Sequence, residues 1–111
     1  MIKVTINRAS TQQLKSVTIS GHAEYDEPGK DIVCAGVSAV TFGAANAVEI
    51  LCGIALHVEQ GKSGFLHFVI PSITDGDKLE KVLFLMEGML VSLRTIERSY
   101  TDFINITEEV R

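Results

Sequence analysis

A histidine and a cysteine in the first third of the chain have the residue types of a base and a nucleophile. His22 follows a glycine in the stretch GHAEYDEPGKDIVCAGVSAV, and Cys34 lies twelve positions later. The thiolate is the reactive form of cysteine, and an imidazole can take the thiol proton and later return it to a leaving amine. The two residues are therefore candidates for covalent catalysis, provided that the fold brings them together.

The residues around Cys34 predict that it lies at the start of a helix. Asp31 is a common N-cap residue, and the segment that follows is rich in alanine and valine and contains no proline before Gly53. This pattern predicts a helix over 32–51 that ends at the glycine. The first turn of a helix has unpaired backbone N–H groups and a positive dipole end, which favour a thiolate at Cys34. The same amides are candidates for an oxyanion site.

A polar loop between Gly21 and Lys30 must bring His22 back over the start of this helix. Pro28 and Gly29 occupy the central positions of a type II turn, so the loop can reverse direction. Gly21 and Gly29 are the candidate hinges, and a loop of this kind could close over a peptide.

Two polar neighbours could support the chemistry. Ser38 lies one helical turn after Cys34, so its hydroxyl either orients the thiolate or a substrate carbonyl, or only permits close packing. Asp31 either orients His22 or only caps the helix, and the second role needs no further assumption. Cys52 has no polar neighbours of this kind, and we interpret it as an inert core residue.

The remaining elements are predicted from hydrophobic periodicity. Ile2, Val4 and Ile6 alternate with polar residues and form a hairpin with a strand through Val17 and Ile19. Two further strands are predicted over 54–59 and 65–70, a second helix with Asp77 as its N-cap, and a last strand over 103–110. The prediction is one α+β domain over 1–111, a mostly antiparallel sheet covered by two helices, in the order β-β-α-β-β-α-β.

Composition excludes several functions. The 111 residues have a formal net charge of −4 and no cluster of Lys and Arg, so we expect no direct nucleic-acid binding. No uninterrupted apolar run reaches the ~18 residues of a membrane span, and no export signal is visible, so we expect no membrane partner and a cytoplasmic location. The three histidines and two cysteines lack the spacing of a zinc site, so no metal or other cofactor is expected.

The residues Gly21-His22-Ala23 and the stretch DIVCAGVS over 31–38 together resemble the ribosomal-processing cysteine protease (Prp) family, and the similarity in length and element order covers essentially the whole chain. The resemblance implies a cytoplasmic endopeptidase that removes a short apolar N-terminal extension from a bacterial large-subunit ribosomal protein. It implies that Cys34 is the nucleophile and His22 the base. It also implies a homodimer, and the surplus of apolar residues on the second helix, at Phe84, Leu85 and Val91, fits a subunit interface.

Two other functions remain compatible with the same residues. A non-catalytic module for ribosome assembly could use the loop to bind a ribosomal-protein peptide without cutting it. A thiol-dependent acyltransferase or hydrolase could use His22 and Cys34 on thioesters of small molecules.

Overall fold

Five strands and two helices make up the fold. The computed structural model describes residues 1–27, 30–62 and 64–111. The elements in chain order are β1 (Ile2–Arg8), β2 (Leu14–Ser20), α1 (Ile32–Cys52), β3 (His57–Gln60), β4 (Leu66–Val69), α2 (Gly76–Ser99) and β5 (Ile104–Val110). The predicted order and the α+β class are confirmed.

The strands form one mixed sheet in the order β3-β4-β2-β1-β5. The β1–β2, β2–β4 and β3–β4 pairs are antiparallel, and the predicted β1–β2 hairpin aligns Val4 with Ile19. The last strand pairs in parallel with β1 and aligns Val4 with Ile106. This arrangement places the end of β2, the start of β1 and the β3–β4 turn at one end of the sheet, where the site is built.

The strand ends differ slightly from the predicted ones. The third strand runs over His57–Gln60 instead of 54–59, because the residues before it connect α1 to the sheet and lie outside the ladder with β4. The fourth strand is one residue shorter than predicted at each end, because Phe65 and Ile70 lie just beyond the paired segment. The fifth strand is one residue shorter at its start, where Phe103 precedes it.

One face of the sheet carries the core, and both helices contribute to it. Ile2, Val4 and Ile6 are at most 2% exposed, while Lys3 between them is exposed, so β1 buries a single face. The helices complete the core with fully buried residues that include Val33 and Val48 of α1 and Val82, Met86 and Leu93 of α2.

The first helix begins and ends where the sequence predicts, with one residue more at its end. Asp31 is its N-cap, and Gly53 follows it in the left-handed conformation at φ 68°, donating its N–H to Glu49 O. By length and composition alone this helix could span a bilayer. Within the fold one side of this helix is buried, at Val33, Val37, Thr41, Val48 and Cys52.

The second helix begins earlier than predicted. Asp75, not Asp77, is its N-cap, because the Asp75 carboxylate accepts hydrogen bonds from the backbone N–H groups of Asp77 and Lys78. The prediction that Asp77 is the N-cap of this helix is therefore wrong. Asp77 lies instead in the first turn, where its negative charge interacts favourably with the helix dipole.

An arginine joins three elements at the opposite end of β1. The Arg8 guanidinium donates to both carboxylate oxygens of Glu87 on α2, at 2.7 and 2.9 Å, and its Nε donates to Glu108 on β5 at 2.8 Å. The Arg8 side chain is only 17% exposed. Hydrogen bonds to Glu87 and Glu108 raise the pKa of Arg8, and the bond from Arg8 lowers the pKa of Glu108.

We expect Arg8→Met to destabilise the fold without affecting the site. Removing the shared cation leaves two partly exposed carboxylates without their main donor, so the free energy of unfolding should fall by about 1–2 kcal/mol in urea titrations. Lys3→Met, on the exposed face of the same strand, is the control and should change it by under about 0.5 kcal/mol. Equal effects of the two variants would contradict a structural role for this ion network.

Candidate active site

Asp31 sets the position of Cys34 at the start of α1. Its Oδ1 accepts the backbone N–H groups of Val33 and Cys34, both at 3.0 Å, and its own carbonyl accepts that of Ala35. These bonds begin the helix at Ile32 and confirm the N-cap prediction. The Cys34 side chain is half-buried in the first turn.

The same contacts overturn one expectation. The first-turn amides of Val33 and Cys34 were expected to form an oxyanion site, but both already donate to Asp31. The amide of Ala35 makes the first regular helical bond. The N–H groups of Val33 and Cys34 are therefore occupied in this conformation, and for these two amides the expectation of an oxyanion site is wrong.

Two glycines let the chain pass closely beneath His22. Gly21 has φ +85°, and a Cβ there would collide with the carbonyl oxygen of Met1. Gly64, in the β3–β4 turn, has φ +73°, and its Cβ would collide with the Gly21 carbonyl and lie 3.4 Å from His22 Cε1. The turn can approach His22 only because it carries a glycine at position 64, a role that the sequence alone did not reveal.

The loop after Gly21 lies across the start of α1. The backbone N–H of Ala23 donates to Cys34 Sγ at 3.4 Å, and that of Tyr25 donates to Asp31 Oδ2 at 3.0 Å. Asp31 thus holds both the helix start and the loop. Pro28 and Gly29 lie outside the described residues, and the hinge roles of Gly21 and Gly29 stay predictions.

Backbone hydrogen bonds keep Asp31 ionised. Desolvation acts to raise its pKa, but bonds from the amides of Cys34, Tyr25 and Asp26 and from the Cys34 thiol outweigh it, so the pKa lies below its ordinary 3.8. Because the pKa of Asp31 is lower in the native state than in the unfolded chain, its ionised carboxylate stabilises the fold at pH values above the unfolded-state pKa. This contribution is lost as the pH falls through the native-state pKa.

Asp31→Asn should remove this acid-sensitive contribution. Asparagine still caps a helix but does not titrate, so the difference in unfolding free energy between wild type and variant should be largest at neutral pH. It should shrink as the pH falls below about 3.8. Chemical denaturation at a series of pH values measures it, and a difference that grows on acidification would contradict the assignment.

His22, Cys34 and Ser38 line the same two cavities. The larger, of about 620 Å³, is otherwise lined by Glu24, Asp26, Asp31 and Ala35. The smaller, of about 280 Å³, extends toward Phe42 on α1 and Phe65 beside β4. His22 is exposed, and among the described residues no hydrogen bond joins its ring to Cys34 Sγ. The structure brings the two residues to one space without a direct bond.

The other candidate ligands and thiols lie elsewhere. Cys52 is a free thiol, 7% exposed, at the far end of α1. His57 is exposed on the edge strand β3, and the His67 ring is 2.8 Å from the Thr18 hydroxyl. In residues 1–27, 30–62 and 64–111, no three His, Cys, Asp or Glu side chains are grouped as a metal site requires.

Comparison with known proteins identifies the family. A family model described as Cysteine protease Prp matches residues 1–105. The chain belongs to this family. A ribosomal processing cysteine protease Prp from Bacillus subtilis (strain 168) is 42% identical to this Prp family member over 111 residues, which cover 99% of each chain.

Two solved structures of relatives have the same fold. The essential ribosomal processing protease Prp from S. aureus, in complex with a covalently linked product peptide, superposes with a TM-score of 0.87 at 34% identity and covers 98% of this chain and 100% of its own. The same protease in complex with a substrate peptide superposes with a TM-score of 0.82 at 34% identity and the same coverage. This member of the Prp family is therefore a cysteine protease.

Proposed function

We propose that this protease cuts a short apolar N-terminal extension from a bacterial large-subunit ribosomal protein, with Cys34 as the nucleophile and His22 as the general base. The observation that carries the assignment is the position of Cys34. Its half-buried sulfur lies in the first turn of α1, accepts a backbone N–H from Ala23 and opens onto cavities that His22 also lines.

The reaction needs only side chains that are present and water. His22 takes the thiol proton, and the thiolate attacks the peptide carbonyl carbon. The tetrahedral intermediate collapses as the C–N bond breaks, and His22 returns the proton to the leaving amine. Water then hydrolyses the thioester. Because the resting imidazole is not bonded to the sulfur, its ring has to turn toward Cys34 when the substrate enters.

Asp31 and Ser38 have different supporting roles in this proposal. The Asp31 oxygens accept three backbone N–H groups, so it fixes the helix and the loop and does not orient the His22 ring. Ser38 is exposed and lines both cavities one turn after Cys34, where its hydroxyl can bond to a substrate carbonyl.

The substrate class follows from the relatives and from the cavities. Relatives are named ribosomal processing proteases, and the S. aureus protease has been solved with a substrate peptide and with a covalently linked product peptide. In this chain the two cavities meet at Cys34, and the smaller one is partly lined by Phe42 and Phe65. An extended peptide with apolar side chains fits such a cleft.

Mass spectrometry of a precursor peptide tests the proposal. The purified protein should convert a peptide that spans the extension and the start of the mature ribosomal protein into two fragments. Binding of the peptide without cleavage would favour a ribosome-assembly module instead. Hydrolysis of small thioesters without peptide cleavage would favour the thiol-dependent hydrolase. Either result would contradict the protease assignment.

We propose further that the protease is a cytoplasmic homodimer. Ribosomal proteins are made and assembled in the cytoplasm, so their processing belongs there. On α2, Phe84 is 80% exposed and Val91 66%, and Ile50 near the end of α1 is 80% exposed. Apolar side chains of this size and exposure are typical of subunit interfaces. Sedimentation equilibrium should give twice the chain mass, and a monomer at micromolar concentration would contradict this part.

A further inference from the structure

The backbone N–H group that donates to the candidate nucleophile belongs to the loop and not to the helix. The amide of Ala23 is 3.4 Å from Cys34 Sγ, and Ala23 is 3% exposed. The amides of Val33 and Cys34, by contrast, are engaged by Asp31. The Ala23 N–H is therefore a preorganised donor, directed at the sulfur atom that carries the negative charge of the thiolate before attack.

The backbone around Ala23 is held in an unusual conformation. Glu24 has φ +56°, a left-handed conformation that a residue with a side chain rarely adopts. On one side of it the Ala23 N–H donates to the sulfur, and on the other the Tyr25 N–H donates to Asp31. Strained backbone of this kind persists when the surroundings fix it, and it concentrates at functional sites.

An aromatic contact anchors the same segment to the connection between α2 and β5. The Tyr25 ring makes edge-on contacts with Tyr100, at the end of α2, and with Phe103, just before β5, at centroid distances of 5.6 and 5.0 Å. Such pairs contribute beyond their buried area. Tyr25 therefore holds the segment that carries the Ala23 amide.

We propose that the Ala23 N–H is the oxyanion donor of the peptidase reaction and that Tyr25 is the residue that positions it; the inference rests on the proposed function. When Sγ bonds to the carbonyl carbon, the π electrons of the C=O bond move to its oxygen, so the negative charge moves from sulfur to an atom two bonds away. A donor already directed at the sulfur reaches that oxygen with a small rotation, at the roughly 2.7–3.1 Å that stabilises it. Collapse then restores the C=O bond and expels the amine, which takes its proton from His22.

Replacing the Ala23 amide by an ester tests the donor directly. Cys34 provides a ligation point, so a synthetic 1–33 segment with a C-terminal thioester can be joined to a recombinant 34–111 segment to rebuild the full chain. One version carries alanine at position 23 and the other carries lactic acid, which replaces the N–H by an oxygen. We expect the ester version to lose roughly 10²-fold in kcat with a KM within about threefold, since one oxyanion donor is removed.

The rate of Cys34 alkylation shows whether the Ala23 N–H stabilises the oxyanion or only the thiolate before attack. Reaction of Cys34 with iodoacetamide forms no oxyanion, so the ester should slow alkylation far less than it slows peptide hydrolysis. Equal slowing of the two reactions, or a kcat within about threefold of the all-amide version, would overturn the inference. If the all-amide version and wild type both fail to cleave the precursor peptide, it is the proposed function that fails.

Variants at Tyr25 give an independent test in the recombinant protein. Tyr25→Phe keeps the ring and should retain kcat within about twofold. Tyr25→Ala should lower kcat by about tenfold with little change in KM, in a protein whose melting temperature is lower but which stays folded at the assay temperature. In Tyr25→Ala, the rate of Cys34 alkylation by iodoacetamide should fall by a smaller factor than kcat. Activity of Tyr25→Ala equal to that of Tyr25→Phe would overturn the positioning role.

Discussion

Cys34→Ala should abolish cleavage of the ribosomal-protein precursor peptide, with a loss of at least about 10⁴-fold in kcat, because no other thiol opens onto the cavities that His22 lines in the described part of the chain. The side chain is only half-buried and alanine favours a helix, so the circular-dichroism spectrum and melting temperature should stay close to those of wild type. Fragment formation followed by mass spectrometry over hours measures the residual rate.

The second cysteine provides the matched control for this variant. Cys52 is in the same helix and is 7% exposed, away from the two cavities that meet at Cys34. Cys52→Ala should therefore lower stability slightly and leave kcat unchanged. Loss of activity in Cys52→Ala at unchanged stability, or turnover by Cys34→Ala equal to that of wild type, would contradict the assignment of Cys34 as the nucleophile.

His22→Ala should reduce kcat by about 10²–10⁴-fold, the usual contribution of a positioned general base. Because His22 is exposed, its removal should hardly change the free energy of unfolding. Added imidazole should restore part of the activity, since a small base can enter the cavity that the missing ring leaves. Steady-state cleavage rates with and without imidazole measure both effects.

A histidine outside the site provides the control variant for His22→Ala. His57 is exposed on the edge strand β3 and is not among the residues that line the two cavities. His57→Ala should keep the wild-type rate. A His22→Ala variant that retains more than about one third of the wild-type rate would contradict the role of His22 as base.

Local signals predicted the helix that carries the nucleophile almost to the residue. A carboxylate before an apolar run and a glycine after it define the two ends of α1, because capping is decided by neighbours a few positions apart. The start of α2 was harder, since Asp75 and Asp77 have the same side chain and only the three-dimensional path of the chain selects the first as the cap.

Long-range pairing was beyond the sequence pattern. Alternation in β1 and in the last strand shows which side chains are buried but not which strands are neighbours, so the parallel pairing of β5 with β1 could not be read from it. The approach of Gly64 to His22 has the same origin. A glycine in a turn is unremarkable until the sheet order places that turn beside Gly21.

The two reactive side chains of the candidate site could be proposed from their residue types, whereas the contribution of the loop backbone could not. His22 and Cys34 stand out because imidazole and thiol groups are reactive, and the structure places both at the same cavities. The Ala23 amide could not stand out, since every residue except proline has an N–H. Its importance depends on where the loop lies, which Asp31 and the aromatic contacts of Tyr25 determine.

Limited alkylation tests the central claim most directly. The native protein is treated at neutral pH with less than one equivalent of iodoacetamide, the modified cysteine is mapped by tandem mass spectrometry, and peptidase activity is measured on the same sample. We predict modification of Cys34 and not Cys52, with activity lost in proportion to the modified fraction. Modification of Cys52 first, or full activity in protein alkylated at Cys34, would contradict the account.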